Sequence, residues 1–135
     1  MAKRMYDLKD MRKWNSNLYL AHEIVFCTNY LLKYQHGYPN SIYQKHKKNE
    51  KAAVKEWNSI LKQIHDGFRA YYKSDGDFHE WKGGIKPIHE ENRLPNGNIE
   101  WKWLNNPTLI VNKEKNRKFK TAMKLLARHF HDLWD

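Results

Sequence analysis

The apolar residues near the end of this chain return at helical spacing. Phe119, Ala122, Met123, Leu126, Phe130, Leu133 and Trp134 fall within about 120° of arc at 3.6 residues per turn. So narrow a stripe needs a partner surface, so the pattern predicts a packed helix from about Lys113 or Asn116 to Trp134. A second stripe lies upstream. Ala53, Trp57, Ile60, Leu61, Ile64, Phe68, Tyr71 and Tyr72 recur at i, i+3, i+4 and i+7, predicting a helix from about Asn49 to Lys73. Gly67 sits at the edge of that stripe, where it lets a neighbouring helix come close at about 1 kcal/mol in helix propensity.

A third helix is predicted from about Asn15 to Gln35, with Asn15 or Ser16 as N-cap and with Gly37 and Pro39 ending it. Leu18, Leu20, Ala21, Ile24, Val25, Leu31 and Leu32, with Tyr19, Phe26, Tyr30 and Tyr34, cover nearly its whole circumference. A helix apolar all round is expected at the centre of a fold, and Cys27 on it reads as an inert core residue. The same broad coverage allows a homodimer.

His36 to Ser41 reads as a turn. Ser74 to Asn98 carries dense turn signals: Ser74-Asp75-Gly76-Asp77, Gly83-Gly84, Pro87 and Pro95-Asn96-Gly97-Asn98. Phe78–Lys82 and Ile99–Leu104 can pair as short strands, with Asn96-Gly97 suited to a hairpin turn; a long loop is the alternative. Asn105-Asn106-Pro107 breaks the chain once more. The fold class is therefore mainly α: a compact bundle of three main helices in a single domain over 1–135. An irregular insertion at about 74–104, able to form a short β-hairpin, separates helices two and three.

Composition narrows the function classes. Six Trp, eight Tyr and five Phe supply enough large side chains for a packed core, despite a mean hydropathy of -0.99. One cysteine makes neither an internal disulfide nor a cysteine-cluster zinc site. Met1 to Lys13 holds no apolar stretch of the signal-peptide kind, and Leu18 to Leu32 is too short and too polar to span a bilayer. By elimination the expected location is the cytoplasm, with no membrane partner.

Lys and Arg number 25 against 15 Asp and Glu, a formal charge of +10, which favours polyanionic partners. Two basic patches stand out. Lys113, Arg117, Lys120, Lys124 and Arg128 form one stripe beside the apolar face of the last helix and can track phosphates; a solvated helix face would look the same. The second is the run from Lys45 to Lys55, with Lys45, Lys47, Lys48, Lys51 and Lys55 against Glu50 alone. Trp81, Trp101 and Trp103 can stack bases or anchor a protein partner if exposed; packing beneath the loop is the expectation for them. The histidines lack metal-binding spacing: His129 and His131 diverge on a helix, and no His-x3-His pair exists. No nucleophile elbow, Walker loop or Rossmann fingerprint is present. His79-Glu80 with His89-Glu90-Glu91 is the best enzymatic grouping, and nothing in the sequence requires them to meet. No enzyme, cofactor or metal site is therefore expected.

Three segments carry a resemblance. They are His36-Gly37-Tyr38-Pro39, then Glu56-Trp57-Asn58 with Ile60, Leu61, Ile64, Gly67 and Phe68, then Ala122, Leu125, Leu126, His129, Phe130 and the closing Leu133-Trp134-Asp135. Together they resemble a group of small uncharacterised helical proteins of tailed bacteriophages. The resemblance covers the helical frame and leaves Ser74 to Leu104 without a counterpart. It implies expression in the host cell during infection, brings no catalytic residues, and implies a binding role. The roles in view are binding an anionic ligand, nucleic acid or nucleotide, or inhibiting a host or antiviral-defence enzyme through protein–protein contact.

Overall fold

A computed structural model describes residues 15–34 and 37–134. The expectations placed on Met1 to Lys13, on Gln35-His36 and on Asp135 lie outside these residues, as does the side chain of Trp134. The described chain is mostly helical: α1 (Ser16–Lys33), α2 (Asn40–Lys45), α3 (Glu50–Lys73) and α4 (Lys113–His129), the last continuing as a 3-10 turn over Phe130–Trp134. Four short strands lie between α3 and α4: β1 (His79–Trp81), β2 (His89–Arg93), β3 (Ile99–Trp103) and β4 (Leu109–Val111). The chain divides into a helical unit, ending at Asp77 and resuming at Lys113, and a strand unit, Phe78–Asn112.

In the helical unit α3 is central, with α1, α2 and α4 packed against it. Its predicted face is the buried one: Ala53, Trp57, Ile60, Leu61, Ile64, Phe68 and Tyr72 form the core. Burying each large apolar side chain contributes about 1.5–3 kcal/mol. Asn49 caps the helix by accepting the Ala52 N–H at 3.1 Å. On α4, Phe119 sits edge-on to Phe68 and stacked on Tyr71, with centroids 5.3 and 4.4 Å apart.

Several helical expectations are corrected. The count is four among the described residues rather than three main helices alone. α2 begins within the segment His36 to Ser41 that was expected to be a turn; Pro39 presets its entry, and six residues are too few to show a period. Helix α1 is peripheral. It buries only Ala21, Thr28 and Leu31, while Leu20 is 58% exposed and Phe26, Tyr30 and Tyr34 are exposed too. Cys27 is exposed and borders an apolar groove with Leu20, Ile24, Leu126 and Phe130. On α4 the buried face is rotated toward Ala122 and His129, and Phe130 is 66% exposed. The α-helical period ends at His129, so its extrapolation to Phe130 overruns into a tighter 3-10 turn.

The strand unit holds two antiparallel pairs, β1 with β4 and β2 with β3. Both predicted strand segments form, with other partners than each other. Phe78–Lys82 meets 108–112, with Trp81 opposite Leu109, and Ile99–Trp103 meets His89–Arg93. The Pro95-Asn96-Gly97 loop closes the β2–β3 hairpin: Gly97, at φ +83°, donates its N–H to Leu94 O at 3.0 Å. That is the three-residue hairpin loop with glycine in the left-handed position. Asn105 then ties the hairpin's base. Its Oδ1 accepts the Ile88 N–H and its Nδ2 donates to Lys86 O, both at 2.8 Å.

Candidate anion-binding cleft

α2 ends at Lys45 with His46 as its C-cap, and the chain reverses into α3 through Lys47 and Lys48, at φ +54° and +65°. The turn is held by the Lys47 N–H on Gln44 O and the Lys48 N–H on Tyr43 O, at 3.0 and 2.9 Å. Left-handed backbone costs a residue with a Cβ about 1–2 kcal/mol, and here two consecutive lysines adopt it. Both side chains are exposed.

The reversal brings the end of α2 beside the first turns of α3. Lys45 Nζ donates to Glu56 Oε1 at 2.5 Å, and His46 Nε2 lies 2.8 Å from Glu56 Oε2. Both carboxylate oxygens are engaged. The Lys45 hydrogen bond first, with the His46 contact, holds the Glu56 carboxyl below its ordinary range.

Glu56 and Lys45 line a cleft of about 400 Å³ between α2, α3 and α4, within the size range of small-molecule sites. Ile42, Ile60 and Leu125 form its apolar wall, Ser41, Ser59 and Gln63 supply neutral polar groups, and Arg128 and His129 close it from α4. His129 is fixed there: it is 8% exposed, packs edge-on to Trp57 at 5.6 Å, and its Nδ1 lies 3.1 Å from Asp132 Oδ2.

The two predicted basic patches thus share one concavity, through Arg128 of the α4 stripe and Lys45 of the lysine run. The remaining stripe residues run along the exposed side of α4, away from Ala122. Lys113, Lys120 and Lys124 are exposed. Arg117 is engaged by Glu114 through bonds of 2.7 and 3.3 Å, and lines a smaller cavity of about 190 Å³ with Gln63, Asp66 and Lys118. In all, α4 carries seven Lys or Arg and a single Glu, which makes it the most positive element described.

The tryptophans are divided. Trp81 is half-buried on β1, opposite Leu109. Trp101 and Trp103 stand on β3, 57% and 63% exposed, rather than packed beneath a loop. His89 lies edge-on to both, at 5.0 and 5.5 Å. His79 and Glu80 lie on β1, and His89, Glu90 and Glu91 on the other pair of strands. Among the described residues no group of three His, Cys, Asp or Glu side chains is arranged to hold a metal ion, and no helix is long and apolar enough to cross a membrane.

Sequence reasoning did not find Glu56, His129, Ser41, Ser59 or Gln63 as neighbours of these cations. Their only link is the packing of three helices, which leaves no local spacing signal. Comparison of the chain with protein-family models, with curated proteins and with solved structures gave no match.

Proposed function

We propose that this chain is a phage-encoded accessory binding protein acting inside the bacterial host, and that its helical unit binds an anionic ligand, nucleic acid or a nucleotide. The observation that carries the reading is the meeting of Lys45 and Arg128 in one cleft. A phosphate seated there takes a planar fork of donors from Arg128 and a point charge from Lys45. The Ser41 and Ser59 hydroxyls and the Gln63 amide supply neutral hydrogen bonds, and Ile42 and Leu125 offer an apolar floor. Lys120 and Lys124 extend the positive surface for a longer polyanion.

Two features fit this reading better than a purely structural one. Lys113 and Lys115 stand in the first turn of α4 beside Glu114, where the helix dipole disfavours cations by about 0.3–1 kcal/mol each. Lys47 and Lys48, which follow Lys45 closely in the chain, occupy strained backbone, and such strain gathers at functional sites. The cleft's one carboxylate, Glu56, has both oxygens engaged by Lys45 and His46, so it competes with a ligand for Lys45 rather than moving protons.

The test is fluorescence anisotropy with labelled single- and double-stranded oligonucleotides, alongside calorimetric titration with a nucleoside triphosphate. Arg128→Glu combined with Lys120→Glu and Lys124→Glu should abolish binding and leave the helical circular dichroism unchanged. Binding should fall steeply with salt if the ligand is a polymer, and less steeply if it is a single nucleotide. Undiminished binding by the folded triple variant overturns the reading.

A further inference from the structure

The β2–β3 hairpin bears a face that nothing in its own unit covers. Alternation along the strands places His89, Glu91 and Arg93 on one side of β2, paired across with Trp103, Trp101 and Ile99 of β3. Trp101, Trp103 and Ile99 are all exposed, and no residue between Phe78 and Asn112 is buried. A two-stranded hairpin is marginal in water unless a third strand or another body packs on it. Two neighbouring exposed tryptophans are also the side chains most favoured as interface anchors.

Charge decides what the face accepts. The strand unit carries Lys82, Lys86, Arg93 and Lys102 against Glu80, Glu90, Glu91 and Glu100, so it is neutral. The whole +10 resides in the rest of the chain. A polyanion or an acidic protein is steered to the cationic surface, and this unit is the part of the molecule least able to attract it. A second copy of the chain meets the opposite situation. Most of its surface repels its twin, and the neutral strand unit is where two copies touch without that cost. Along one side of the apolar strip Glu91 and Arg93 lie 3.6 Å apart, and a two-fold contact can exchange this exposed pair for two pairs between copies, Glu91 of each with Arg93 of the other.

We propose that the Ile99–Trp101–Trp103 face of the β2–β3 hairpin is the surface through which two copies of this chain associate. The half-exposed tryptophans, Ile99 and His89 offer roughly 400 Å² per copy, taking about 150–250 Å² for a whole aromatic side chain. A standard interface uses about 800 Å² per partner. An interface of half the standard size makes a weak, reversible dimer, and it is independent of what the cleft binds.

The experiment is sedimentation velocity of the full chain over a wide concentration series, at low and high salt. The mass should rise from one chain to two with concentration, and the dimer should tighten as salt screens the repulsion between the basic surfaces, the reverse of the salt effect on polyanion binding. Trp101→Ala and Trp103→Ala should each weaken the dimer about thirtyfold or more, as expected of anchors at an interface centre. Glu91→Lys, a surface change that leaves the aromatic side chains in place, should weaken it too, and Arg128→Glu should not. A chain that stays monomeric at the highest concentration overturns the proposal. So does a dimer that survives in both Trp variants and in Glu91→Lys, since it is then held elsewhere, for example along the groove of Leu20 and Phe130.

Discussion

Gly67 of α3 faces Ala122 of α4 where the two helices pack closely: a Cβ placed on Gly67 collides with the Ala122 Cβ and comes within 2.8 Å of Lys118 O. The glycine lowers the helix propensity of α3, and the close crossing compensates for it.

Gly67→Ala should therefore destabilise the helical unit, although alanine is the better helix former by about 1 kcal/mol. Forcing an extra methyl into a packed contact costs about 1–3 kcal/mol, and here one of the obstructing atoms is backbone. A net loss of about 1–2 kcal/mol is expected in urea unfolding, with Ala122→Gly partly restoring the double variant.

Lys48→Gly should act in the opposite direction on stability. Relieving one left-handed lysine should raise the unfolding free energy by about 1 kcal/mol. The same variant should weaken anion binding, because it removes an exposed cation three residues from Lys45. A rise in thermal midpoint together with a lower affinity is the expected pair of results.

Acid should loosen the Lys45–Glu56–His46 contact. Glu56 has a folded pKa below its unfolded value, so its contribution is present above the unfolded value of about 4.3. It is lost as pH falls through the folded value. Glu114, held down first by its hydrogen bond from Arg117, has the same sign. Thermal midpoints measured from neutral pH to pH 3 should drop less steeply in Glu56→Gln than in the parent chain.

Glu56→Gln should also tighten anion binding. The carboxylate competes with a ligand for Lys45 and repels a phosphate in the same cleft. At separations of a few Å one unit charge is worth about 1 kcal/mol even in water, so an affinity gain of about threefold to tenfold is expected by calorimetry. A loss of affinity would show instead that Glu56 orients Lys45 for the ligand.

How much the sequence revealed depended on the length of each pattern. The α3 stripe, Ala53 to Tyr72, spans more than five turns, and the core follows it. α2 is six residues long and has no period to read. α1 misled because apolar coverage all round a helix is satisfied only if neighbours exist on every side; α3 covers one side, and Leu20 and Phe26 face outward. Turn signals marked the Ile99 strand but carried no information about its partner, which is β2 rather than the Phe78 segment. At the site, charge was legible residue by residue. The cleft was not, because Ser41, Glu56 and Arg128 meet only through tertiary packing.

The strand unit leaves the helical unit after Asp77 and rejoins it at Lys113, between two helices that pack directly on one another. Polymer statistics make such a detour inexpensive: each doubling of a flexible connection adds only about 0.6 kcal/mol of closure entropy. The segment from Phe78 to Asn112 can thus diverge, shorten or be replaced while Trp57, Ile64 and Ala122 go on holding the helices. Heredity can rewrite what the hairpin recognises without redesigning the scaffold that presents Lys45 and Arg128.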